Sequence, residues 1–172
     1  MELKTILEAV LFSSSRPVTS KQVSRRLEEF PLGDIEEAFQ ALIRDYAGAD
    51  RSVEIAEVAG GYQMRTRVEY RDIVKRFVKE KDVALSRPML ETLSIIAYKQ
   101  PVTKKEIDAV RGVDSARAIK HLLEKRLIDI AGRNGDAGKK MAFRTTPRFL
   151  EVYGLKSIED LPTYKEIESL EG

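Results

Sequence analysis

The chain contains no cysteine, no tryptophan and a single histidine. Without cysteine there is no disulfide framework, no thiolate metal site and no thiol nucleophile. One histidine cannot build a histidine-rich metal centre. A Ser–His–Asp triad would have to use His121, which shares a helical face with Arg117 and Lys120 and so reads as a solvent-facing side chain. No apolar run approaches the roughly 20 residues that a membrane span needs. Glu2 and Glu8 interrupt what would be the apolar region of a secretion signal, so none is expected. Gly60-Gly61 lacks the Lys and Ser/Thr of a phosphate-binding loop and reads as a hairpin turn. The neighbouring carboxylates Glu28-Glu29 and Glu36-Glu37 do not share a helical face as a paired acid and base would. The expectation is a soluble cytoplasmic protein with no catalytic residue, no metal and no cofactor.

What is present is a charged globular chain. Of 172 residues, 42% are hydrophobic and 34% charged, a composition that folds. Two domains of roughly 80 residues can each bury a working core. The net charge of +2 is small, but it is unevenly spread. Residues 1–80 hold 13 Lys/Arg against 14 Asp/Glu, a net of −1. Residues 86–153 hold 14 against 8, a net of +6, and residues 154–172 hold 2 against 5, a net of −3. Only the middle stretch has an electrostatic reason to approach phosphate.

The chain also repeats itself. Pro17-Val18-Thr19-Ser20-Lys21-Gln22-Val23 matches Pro101-Val102-Thr103-Lys104-Lys105-Glu106-Ile107. Leu7-Glu8 matches Leu90-Glu91, Ala38-Phe39 matches Ala118-Ile119, Leu42-Ile43 matches Leu122-Leu123, and Arg65-Thr66 matches Arg144-Thr145, all in the same order. Each half reads as three helices and a hairpin. In the first, Leu3, Ile6, Leu7, Val10 and Leu11 recur at helical spacing. Thr19 and Gln22 form a capping-box signal for a helix with a Val23 and Leu27 stripe. Ile35, Ala38, Phe39, Leu42, Ile43 and Tyr46 line a third helix. Residues 53–58 and 62–66 flank the Ala59-Gly60-Gly61 turn. Thr66 with Glu69 predicts one more helix, running to Val78.

In the second half, Ser86 precedes a helix through Leu90, Leu93, Ile96 and Ala97. Thr103 and Glu106 cap a short helix, and Asp114 or Ser115 starts a third with Ala118, Ile119, Leu122 and Leu123. Residues 127–130 and 141–144 flank a Gly/Asp/Lys-rich wing from Gly132 to Lys140. This predicts an α+β, mostly helical protein of two tandem winged-helix domains. The first spans 1–80, the second 86–153, and 154–172 forms an acidic tail.

A winged helix that reads DNA places its third helix in the major groove. In the first half the face opposite the apolar stripe carries Glu36, Glu37, Gln40, Ala41 and Arg44, which repels phosphate and suits packing or self-association. The corresponding face of the second half carries Arg117, Lys120, His121, Glu124 and Lys125, and its wing adds Arg133, Lys139, Lys140 and Arg144. Three readings fit this basic surface: a solvated face, a DNA contact, or a dock for an acidic protein.

Beyond these patterns, the chain resembles the bacterial segregation and condensation protein B family. The resemblance rests on Leu7 to Phe12, on Val58 to Thr66, and above all on Arg87-Pro88-Met89-Leu90-Glu91-Thr92-Leu93-Ser94-Ile95-Ile96-Ala97-Tyr98-Lys99-Gln100-Pro101-Val102-Thr103. It continues through Arg111 to Ser115, Thr145 to Leu150 and Gly154 to Pro162. It departs at the wing. Where the family commonly has Gly-Arg-Pro leading to Leu-Tyr-Gly-Thr-Thr, this chain has Gly138-Lys139-Lys140-Met141-Ala142-Phe143-Arg144-Thr145-Thr146.

The resemblance implies a non-catalytic homodimer paired through its N-terminal domains. The implied partner is the kleisin subunit, segregation and condensation protein A, which bridges the heads of a structural-maintenance-of-chromosomes ATPase. Direct DNA binding is then weak or absent, no membrane is involved, and the location is the nucleoid-associated cytoplasm. Within the signature, Tyr98, Lys99, Gln100, Arg111 and Val113 lack an evident packing need and are the expected partner-binding residues, with Arg111 reading equally as a structural cation at a helix C-terminus. An aromatic and an Arg are residue types that anchor interfaces. The competing function is a sequence-specific DNA-binding regulator.

Overall fold

The computed structural model describes residues 1–48, 50–78, 84–134, 140–163 and 166. The chain divides into two compact units, Met1–Lys81 together with Gly154–Gly172, and Asp82–Tyr153. Both mix helices with small antiparallel sheets.

The first unit begins with helix α1 (Leu3–Ser13), the five-residue α2 (Ser20–Ser24) and α3 (Leu32–Tyr46). Thr19 and Gln22 cap α2 reciprocally, as their spacing predicts. The helix is shorter than its apolar stripe suggests, because Leu27 reaches the core from the turns that follow it. Strands β1 (Val53–Val58) and β2 (Gly61–Thr66) form the hairpin. Val18 adds a bridge to β2, exchanging backbone bonds with Tyr62 at 2.8 and 2.9 Å. A Cβ at Gly61 would lie 2.9 Å from the Val18 backbone, so only glycine permits that approach. The core holds Leu7, Leu11, Ile35, Phe39 and Leu42, all buried. The Phe39 and Tyr62 rings stack with centroids 4.1 Å apart.

The capped helix predicted from Thr66 does not form. Thr66 is held in the β ladder opposite Val53. A 3-10 turn (Val68–Tyr70) and the single-turn α4 (Arg71–Val74) follow instead. Arg67 takes over the junction, donating from Nη2 to the carbonyl oxygens of Tyr46, Ala47 and Gly48 at 2.9, 3.0 and 2.7 Å. These carbonyls lie at the end of α3, where intrahelical donors run out.

Residues 154–172, read from sequence as a separate acidic tail, belong to this first unit. The amides of Ala59 and Gly60, at the hairpin turn, donate to the carbonyls of Leu155 and Lys156 at 2.9 and 3.1 Å. Lys156 pairs with Glu57, which also accepts from the Gln40 amide at 2.8 Å. The two contacts hold the Glu57 carboxyl below the usual range, Lys156 most strongly. Gln40 is therefore committed to the hairpin rather than to the open face of α3.

The second unit runs α5 (Arg87–Lys99), β3 (Val102–Thr103), α6 (Lys104–Arg111), α7 (Ala116–Glu124), β4 (Ile128–Asn134), β5 (Lys140–Thr145) and α8 (Pro147–Tyr153). Its three strands are ordered β3-β5-β4. Val102 pairs with Phe143 on the hairpin, as Val18 pairs with Tyr62 in the first unit. Thr103 and Glu106 form the second capping box. The core gathers Leu93, Ile96, Ile107, Leu122, Leu127 and Phe143. Lys139 and the rest of the wing tip lie outside the described residues.

Candidate partner-binding surface

The signature residues do not share one environment. Tyr98 and Lys99 lie near the end of α5 and are exposed, Tyr98 to 52%. Val113, between α6 and α7, is exposed as well. Gln100 differs. Its Oε1 accepts from both the amide and the hydroxyl of Thr145, at 2.7 and 3.0 Å, and its Nε2 donates to the Ala97 carbonyl at 3.3 Å. This latch ties the end of α5 to β5, so Gln100 has the packing need that the sequence does not show.

Arg111 is buried too, its side chain only 8% exposed, with Nη2 donating to Glu91 at 3.3 Å. The next residue, Gly112, ends α6 in the left-handed conformation at φ +70°, where a glycine costs least.

A polar network fixes the α6–α7 junction. Asp108 pairs with Lys104 at 2.6 Å and accepts from the Ser115 amide at 2.8 Å and from the Ser115 hydroxyl. Lys104 also pairs with Asp114, whose other oxygen caps the Ala116 amide at 3.2 Å. Lys104 and then Ser115 bring the Asp108 carboxyl down to about 2. Ser115 stands at the N-cap of α7, yet its hydroxyl serves Asp108 rather than the helix.

The cationic face of α7 is open. Arg117, Lys120 and Lys125 are exposed. His121 is half-exposed, with Nδ1 3.1 Å from Glu124. Arg144 on β5 faces Asp129 at 4.0 Å. Arg133 and Lys140 stand in β4 and β5.

Beside this face lies a groove of about 580 Å³, with Ile119, Leu123, Ile130, Met141 and Phe143 as its apolar lining and Lys104, Lys105 and Lys120 among its polar side chains. Alternation along the strands reveals Ile130 and Met141 as strand residues, but not that they meet Ile119 and Leu123 across a gap. In the first unit, the exposed apolar side chains include Phe12 (82% exposed) and Phe77 (85%), with Val68, Ile73 and Val78. Among the described residues, no group of three or more acidic or histidine side chains is placed to hold a metal. No helix among them is long and apolar enough to cross a membrane.

Residues 5–164 match the family described as segregation and condensation complex subunit ScpB. The chain belongs to this family. Segregation and condensation protein B of Syntrophotalea carbinolica is 42% identical over 170 residues, covering 99% of this chain and 86% of its own. The Alkaliphilus metalliredigens protein of the same name is 40% identical, covering 96% and 87%. Among solved structures, ScpB from Mycobacterium tuberculosis is 34% identical over 90% of this chain and 96% of its own, with a TM-score of 0.41. A dimer of the ScpB N-terminal domain complexed with an ScpA peptide is 24% identical over 44% of this chain and 93% of its own, with a TM-score of 0.40. Family membership bears out the resemblance carried by the α5 signature.

Proposed function

We propose that this protein is a non-catalytic accessory subunit of a bacterial chromosome condensation and segregation complex. It works in the cytoplasm at the nucleoid. It pairs with a second copy through the first unit and grips the kleisin, segregation and condensation protein A, with the second. Each unit is read as a winged helix, three helices and a hairpin wing.

The observation that carries this reading is the family match across residues 5–164, which spans both units. The surfaces support it. Phe12 and Phe77 are large apolar side chains that the first unit leaves exposed, available to a partner. The second unit offers Tyr98, Lys99 and Val113 and the groove beside α7. Gln100 contributes by holding the end of α5 to β5.

Size-exclusion chromatography with light scattering, with and without the kleisin, tests the reading. The expected result is a dimer mass alone and a heavier complex with the kleisin at moderate salt. Phe77→Glu is expected to lower the dimer mass toward that of a monomer. Absence of a complex, together with tight duplex binding of steep salt dependence, points instead to a DNA-binding regulator.

A further inference from the structure

Among the described residues, two arginines place a buried Nε atom where it has no hydrogen-bond partner, Arg67 and Arg111. They differ in what the rest of the guanidinium does. Arg67 donates to three backbone carbonyls within 3.0 Å, so its charge is well solvated by the protein. Among the described residues, Arg111 makes a single long contact, to Glu91. That carboxylate is half-exposed and is shared with Arg87, whose Nε donates to it at 3.1 Å. A guanidinium carries five N–H donors and cannot shed its proton. Buried with one half-solvated partner, it is left short of negative charge.

Arg111 lines a cleft of about 530 Å³ within the second unit. Arg117, His121 and Lys125, spaced four apart along α7, line it too. Asp114 is the one carboxylate among the lining residues, and Lys104 and the Ala116 amide already engage it. Among the described residues, neither Arg117 nor Lys125 has a carboxylate partner. Pro88 and Met89 add apolar wall.

We infer that this cleft is an anion-accepting socket for the carboxylate side chain of an acidic segment of the partner polypeptide. Arg111 sits deepest, and Arg117 and Lys125 guide the segment in. Charge complementarity selects an anion. The recessed position of Arg111, with apolar wall beside it, selects a slender side chain over the broad, rigid backbone of duplex DNA. The inference rests on the reading of the second unit as the kleisin-binding unit and supplies the chemistry of recognition.

Titration calorimetry of the full-length chain with full-length kleisin tests it. The variant Arg117→Glu/Lys125→Glu alters only exposed positions, so its melting curve and dimer mass are expected to match wild type. Its kleisin affinity is expected to fall about tenfold or more, with the wild-type affinity weakening as salt rises. Arg111→Lys keeps the charge but loses the planar fork and is expected to fall in between. A kleisin Glu→Arg variant that restores binding to the double variant identifies the seated side chain.

If the double variant binds kleisin as tightly as wild type, the socket is overturned while the kleisin reading stands. If wild type does not bind kleisin at all, the reading itself fails and the socket with it. If the double variant loses only binding to a duplex DNA probe, the cleft is a phosphate contact and the inference is wrong.

Discussion

The two units share a plan and differ in what they show the solvent. Each has a Thr-capped short helix, a strand residue reaching the hairpin just before it, and a third helix packed beneath. In the first, the third helix shows Glu36 and Glu37, and Gln40 is drawn to the hairpin through Glu57. In the second it shows Arg117, Lys120 and Lys125. Both units leave large apolar side chains exposed, Phe12 and Phe77 among them in the first and Tyr98 and Val113 in the second. One backbone plan carries two surface chemistries because the core positions hold while the exposed ones change sign.

Core replacement at matched positions gives the largest expected effect. Phe39 and Ile119 occupy equivalent places in the repeat and are both buried. Phe39→Ala is expected to cost about 3–5 kcal/mol and Ile119→Ala about 2–5 kcal/mol, read by urea unfolding. Equal and negligible losses would break the claim that both helices anchor a core.

The Gln100 latch breaks the symmetry, since the repeat puts Arg16 at the equivalent place in the first unit. Gln100→Ala leaves the Thr145 amide without its side-chain acceptor and is expected to cost about 1–3 kcal/mol. Faster hydrogen exchange at Thr145, without change in the first unit, is the accompanying signature.

The capping boxes restore the symmetry. Thr19→Ala and Thr103→Ala are each expected to cost about 1 kcal/mol. A large difference between them would show that one short helix leans more on its tertiary contacts.

Acid sharpens the contrast by direction alone. Asp108 has its carboxyl lowered from 3.8 to about 2. Its ionised form is therefore favoured by folding, and the contribution is fully present above its unfolded value of 3.8. It is lost as pH falls through about 2. Acid titration followed by tyrosine fluorescence and circular dichroism is expected to show Asp108→Asn flattening the loss between about pH 4 and pH 2.

Much of this architecture is legible before any coordinates. The repeat, both capping boxes, the turn at Ala59-Gly60 and the apolar stripes of α1, α3, α5 and α7 are local signals with fixed spacing. What is not legible joins residues far apart in the chain. Gln100 meets Thr145, Arg67 meets Tyr46, and Arg111 meets Glu91. None of these pairs leaves a periodic trace. Gln100 reads as a surface residue because a polar side chain just after a helix usually is one, and Arg111 because a cation in a helix's last turn usually faces water. The overrun of α2 and the broken helical stretch after Thr66 have the same origin, a local preference overruled by packing. Of the expected site, Tyr98, Lys99, Val113 and the α7 cations are exposed. The groove lining stays hidden because a gap between elements belongs to neither.

The hairpin turn at Ala59-Gly60 also sets an order of assembly. Its backbone partners, Leu155 and Lys156, are about a hundred residues further along. Chains emerge from the ribosome N-terminus first. The whole of the second unit, Asp82–Tyr153, is therefore translated before the segment that closes the first can arrive. The unit that begins first is completed last. A ribosome stalled anywhere within the second unit would display a first unit whose turn amides still face water.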